Sequence, residues 1–156
     1  MREMNGSLDG RGLRVCLLAS RFNETVVLRL VDGAHRALLQ HGVAEDGIEL
    51  IWVPGAFELP TALAARLANH PPDAVVALGA VIRGETPHFD YVAQAACSGL
   101  EELARSSGTP LGFGVLTVNS PEQAAERAGG KLGNKGWEAA CAALEMASVV
   151  AQLKGG

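Results

Sequence analysis

The run Asp73-Ala-Val-Val-Ala-Leu-Gly-Ala-Val-Ile82 is uncharged after its first residue and apolar at consecutive rather than alternate positions. It is well short of the ~20 residues that cross a bilayer, and its density of Val, Ile and Ala suits a strand buried on both faces of a parallel sheet. Three shorter runs also read as strands: Arg14 to Ser20, Ile48 to Val53 with Glu49 as its one charge, and Leu111 to Val118. Between them the apolar period lengthens from consecutive to helical. From Glu24 to Gln40, Val27, Leu30, Val31, Ala34, Ala37 and Leu38 form one stripe, with Arg29, Asp32, His35 and Arg36 opposite and Gly42 as the stop.

Helices are expected likewise from Glu58 to Asn69, ended by His70-Pro71-Pro72, and from about Phe89 to Arg105, with Val92, Ala93, Ala96, Leu100 and Leu103 inward. A short helix opens at Pro121 and ends near Gly129-Gly130, and a last one runs from Trp137 to Leu153, with Trp137, Ala140, Cys141, Leu144, Ala147 and Ala151 inward. Strand and helix alternate four times. This predicts an α/β three-layer sandwich, a flavodoxin-like four-stranded parallel sheet with helices on both faces, joined by right-handed crossovers. Residues 14–156 read as a single domain. Residues 1–13 have neither period and carry Gly6, Gly10 and Gly12, so they are either a loose tail or a segment that docks on a neighbouring subunit.

Composition narrows the partners. The 156 residues are 48% hydrophobic and 19% charged, enough to build a core and unlike a disordered chain. A net charge of -4 leaves no clustered cation face for a nucleic-acid backbone, so no nucleic-acid or membrane partner is expected. The start lacks the apolar core of a signal peptide, so the expected location is cytoplasmic. Cys16, Cys97 and Cys141 fall in apolar segments without metal-ligand spacing, and are expected as reduced core residues. No metal is expected.

In open α/β sheets, ligands bind beyond the carboxyl ends of the strands. The first exit carries Ser20-Arg-Phe-Asn23, where Phe22 either caps the core or faces a ligand. The second carries Pro54-Gly-Ala-Phe-Glu-Leu-Pro60, in which Glu58 either complements a helix dipole or serves a site. The third, Arg83-Gly-Glu-Thr-Pro-His-Phe-Asp-Tyr91, is the densest polar cluster. Gly84 permits close backbone approach, Thr86 is expected as an N-cap with Pro87 as first helical residue, and His88 lies in the first turn, where a helix N-terminus favours anions. Histidine titrates near neutrality and relays protons; His35, His41 and His70 sit on a helix face or near helix ends, where solvation or dipole pairing accounts for them. Phe113, inside the fourth strand, counts as core, and Gly129-Gly-Lys-Leu-Gly-Asn-Lys-Gly136 reads as a flexible basic loop without Walker spacing.

These segments closely resemble the lumazine synthase family. Pro54 to Pro60, Gly79 to Val92, Phe113 to Thr117 and Glu126 to Gly136 stand in that family's order and spacing, within a resemblance spanning about Arg14 to Leu153. The Gly-Glu-Thr-Pro-His-Phe-Asp-Tyr block is its most specific part. The resemblance implies a transferase that condenses 5-amino-6-(D-ribitylamino)uracil with 3,4-dihydroxy-2-butanone 4-phosphate, giving 6,7-dimethyl-8-ribityllumazine in the penultimate step of riboflavin biosynthesis. It implies no cofactor.

Position by position, it assigns Phe22 to stacking on the pyrimidine. Ala56, Phe57 and Glu58 hold the ribityl chain and ring edge, and the backbone of Ala80, Val81 and Ile82 reads the ring's amide edges. Gly84, Glu85 and Thr86 form the phosphate loop, and His88 transfers protons. Phe113, Lys135 and Arg127 come from a neighbouring subunit, Arg127 to pair with the phosphate. The partners implied are two small-molecule substrates, further copies of the chain in a pentamer, an icosahedral shell of pentamers, and riboflavin synthase. The alternative reading is a non-catalytic lumazine- or flavin-binding protein of the same fold.

Overall fold

A computed structural model describes residues 1–155. Four parallel strands, β1 (Val15–Ser20), β2 (Ile48–Val53), β3 (Ala74–Ile82) and β4 (Leu111–Val118), lie in the order β2-β1-β3-β4. The helices α1 (Glu24–Gln40), α2 (Leu59–Ala68), α3 (His88–Ser107), α4 (Pro121–Arg127) and α5 (Lys135–Gly155) cover the two faces, completing the three-layer α/β architecture.

The consecutive apolar runs are explained by the two cores. Along β1, Val15, Leu17 and Ala19 enter the layer shared with α1 and α5, while Cys16 and Leu18 enter the layer under α2 and α3. β3 divides the same way, with Ala74, Val76, Leu78 and Ala80 on one face and Val75, Ala77 and Val81 on the other. Both are inner strands, so neither face meets water. On the α1 side, the helices approach closely: a Cβ on Gly136 would collide with the Leu30 carbonyl.

Several boundaries differ from the expectation. Residues Ala56–Glu58 form a separate 3-10 turn, so α2 begins at Leu59 and stops at Ala68. Helix α3 starts one residue early, at His88, and Pro87 occupies the N-cap; Thr86 does not cap it. Helix α4 ends at Arg127, because Ala128–Gly130 (β5) pairs antiparallel with Gly133–Asn134 (β6) rather than forming a loose loop. Gly129 and Gly133 take φ of 99° and 83°, which makes the tight return possible. In α5 the buried stripe is Gly136, Ala139, Ala140, Ala143 and Leu144, and Ala151, expected inward, is exposed.

Besides Ala151, two further residues read as core are not. Cys97 is exposed on α3, and Phe113 is 43% exposed because β4 is an edge strand that α3 does not fully cover. The N-terminal segment has partners within its own chain: the Ser7 amide donates to Ser148 Oγ at 3.1 Å, Gln152 donates to the Asn5 carbonyl at 2.9 Å, and the buried Gly10 donates to the His41 carbonyl at 2.8 Å. Among the described residues, no helix is long and apolar enough to cross a membrane.

Candidate functional site

Three strand exits meet in a cleft of about 740 Å³, inside the range of roughly 300–1,000 Å³ that small-molecule sites occupy. From β1, the chain continues its pairing for two residues past the strand. The Arg21 amide donates to the Val53 carbonyl at 2.8 Å and the Phe22 amide to that of Pro54 at 3.0 Å. Phe22 then stands 73% exposed at the cleft wall, so it does not cap the core. Asn23 follows in the left-handed region, with φ 65° and ψ 44°, and its Nδ2 donates to the Ala80 carbonyl at 2.8 Å.

From β2, Gly55 runs extended into the 3-10 turn, which the Glu58 amide closes onto the Gly55 carbonyl at 3.1 Å. Ala56 is buried beneath the cleft, Phe57 is exposed on it, and Glu58 is half-buried. Glu58 is the N-cap residue of α2, but its side chain makes no capping bond. The carboxylate instead lies over Gly55 at the cleft wall, where it can accept from a ligand hydroxyl.

From β3, Ala80, Val81 and Ile82 line the floor. The Arg83 amide donates to the Val118 carbonyl at 2.9 Å, which carries the chain toward β4 before it turns back through Gly84, Glu85 and Thr86. Gly84 and Thr86 line the cleft, and open space surrounds the position a Gly84 side chain would take. Arg83 braces the loop from behind: its guanidinium lies 4.4 Å from the centre of the Phe89 ring, donates to Asn119 at 3.0 Å, and stands 3.6 Å from Asp90. Helix α3 opens on this loop without a side-chain cap; the Asp90 amide closes onto the Pro87 carbonyl at 3.0 Å, and the amides of the first two helical residues face no capping side chain and can meet an anion. His88 is its first residue, exposed and on the cleft.

The single chain does not bring everything together. Among the described residues, no Arg or Lys lines this cleft. Arg127, at the end of α4, is tied to its own helix through the Gln123 carbonyl and to Glu126. Lys135 pairs with Glu138 at 2.7 Å. Phe113 lines a separate shallow groove on the far side of Phe89, beside Cys97 and Thr117. Glu85, in the same loop as Gly84 and Thr86, does not line the cleft.

Sequence reasoning did not single out Asn23, Phe89 and Tyr91, all on the cleft. Tyr91 had a usable signal, since it stands three residues after His88 and so on the same helix face. Asn23 had only the general tolerance of asparagine for left-handed backbone.

A family model described as 6,7-dimethyl-8-ribityllumazine synthase matches residues 12–151. Among solved structures, a de novo designed Rossmann fold protein is 22% identical, with 72% of this chain and 90% of that chain covered, at a TM-score of 0.41.

Proposed function

The chain belongs to the 6,7-dimethyl-8-ribityllumazine synthase family, and we propose that it carries out the condensation of 5-amino-6-(D-ribitylamino)uracil with 3,4-dihydroxy-2-butanone 4-phosphate. The observation that carries this reading is the convergence of Phe22, Glu58 and His88 on one cleft beside the uncapped start of α3. A flat ring stacks on Phe22, ribityl hydroxyls donate to Glu58, and the backbone of Ala56 and of Ala80 to Ile82 meets the polar ring edge. Phe57 closes the side of the ribityl chain. Gly84, Thr86 and the leading amides of α3 take the phosphate, with Glu85 contributing at most its backbone amide.

In this reading the exocyclic amine attacks the ketone, water leaves as an imine forms, phosphate is eliminated, and the ribityl-bearing nitrogen closes the ring on the remaining carbonyl with loss of a second water. Holding two substrates in register supplies much of the acceleration. His88 moves protons at the amine and at the departing groups.

A phosphate dianion also calls for a cation, which the cleft does not have within its own chain. Arg127 of an adjacent copy is proposed to supply it, with Phe113 and Lys135 of that copy completing the pyrimidine end. The functional unit is then a ring of five chains, with a closed shell of rings as the larger assembly and riboflavin synthase as the consumer of the product.

Purified protein mixed with both substrates should release phosphate and develop lumazine fluorescence together. Tight binding of the pyrimidine or of a flavin with neither signal would instead support a non-catalytic binding protein.

A further inference from the structure

An asparagine at a helix N-cap ordinarily accepts a hydrogen bond from an amide in the first turn. Asn23 precedes α1 and makes no such bond. Its side chain points across the sheet end instead, donating from Nδ2 to the Ala80 carbonyl at 2.8 Å, 57 residues along the chain. That reach requires the left-handed backbone of Asn23, φ 65°, which few residues other than glycine, asparagine and aspartate adopt.

The acceptor is equally specific. Register pairing between β1 and β3 stops at Ala19 and Leu78, so Ala80 lies beyond the last paired position on that side. The Asn23 amide takes the place of a strand donor after β1 has ended. Phe22, one residue earlier, is fixed on the β2 side by the hydrogen bond its amide donates to the Pro54 carbonyl, and its exposed ring is not locked by packing. On the β3 side, Asn23 supplies the tie.

We propose that Asn23 is a positioning residue for the pyrimidine substrate: it clamps the Phe22 exit to the Ala80–Ile82 strand end, so that the stacking face and the edge-reading backbone are preset for the same ring. This rests on the reading of the cleft as the pyrimidine site. Such preorganisation lowers the ordering cost of binding without touching the reacting atoms.

Two variants separate this role from a turn requirement. Asn23→Gly keeps the left-handed backbone and removes the amide. Asn23→Asp keeps the shape and replaces the donor by an acceptor facing a carbonyl. Each is titrated with the ribitylamino-pyrimidine alone, and kcat and both KM values are measured. The expected result is a weakening of pyrimidine Kd and KM by roughly five- to ten-fold in both variants, the range of one lost hydrogen bond. The kcat and the keto-phosphate KM should stay within about two-fold, and the melting temperature of Asn23→Gly should stay near that of the parent.

Wild-type pyrimidine affinity in either variant overturns the proposal. So does an equal rise in both KM values, which a general structural role would give. Failure of the parent protein to bind the pyrimidine removes the cleft reading itself, and this inference with it.

Discussion

Arg127 donates from Nη1 to the carbonyl of Gln123 at 3.1 Å, one turn back on its own helix, and so stays outside the cleft of its own chain. If it serves the phosphate of a neighbouring copy, Arg127→Ala should raise the keto-phosphate KM by ten-fold or more, since hydrogen bonds to charged groups contribute about 1.5–3 kcal/mol. The pyrimidine KM should move little. Mixed assemblies of Arg127→Ala with His88→Ala should regain activity, because some clefts then combine an intact His88 with an intact neighbouring arginine. Equal effects on both substrates, or no complementation, would place Arg127 elsewhere.

His88→Ala should lower kcat by about 10²-fold, at the modest end of general acid-base contributions. Pyrimidine affinity should be nearly intact, because the ring is assigned to Phe22 and the β3 end. Stopped-flow turnover and equilibrium titration on the same preparation check this, and parallel losses in rate and affinity would contradict a proton-transfer role.

Assembly gives a third test. Phe113 is exposed on an edge strand, and the β5–β6 return is short. A pentameric ring is expected in solution, and a closed shell as the larger particle. Light scattering and electron microscopy of the active protein measure both. A fully active monomer would remove the shared site, and a particle no larger than one pentamer would remove the shell.

Gly136 has the Leu30 carbonyl where a side chain would begin. Gly136→Ala must push α5 away from α1, at a cost of about 2 kcal/mol by analogy with overpacked cores. Calorimetry should register a fall in melting temperature of about 4–8 °C. An unchanged transition would mean that the helices separate without loss.

Burial, with help from the Glu49 carboxylate, pushes the Cys16 thiol up to about 12. A raised folded value means that the folded state holds the proton more tightly than the unfolded chain, whose thiol titrates near 9. The stability linked to Cys16 is therefore fully present below about pH 9 and is lost as the pH climbs toward 12. Cys16→Ala should flatten that alkaline slope in denaturant melts. At pH 8, a thiol reagent should label the exposed Cys97 before denaturation and Cys16 only after it.

The four strands and most helix spans were readable in the sequence because burial on two faces leaves consecutive apolar residues, and burial on one stripe leaves a helical period. The strand exits were readable too, since function at a parallel sheet concentrates at those ends, and Phe22, Glu58 and His88 do meet there. Cys97 and Phe113 were misjudged for one reason. Periodicity says that a face is apolar, but not whether another element of the same chain covers it, and on the β4 side the cover is incomplete. The β5–β6 ribbon escaped because it has too few residues to show any period.

By itself, then, the sequence determined the alternation of elements, the two-sided core and the residues offered at each strand exit, all of which depend on neighbours near in the chain. Only the tertiary structure decided that Asn23 would reach Ala80 and that Gly136 would seat against Leu30. Those relations join residues by the order and packing of strands and helices. That order is set by the summed burial of the whole domain, which no local pattern of residues records.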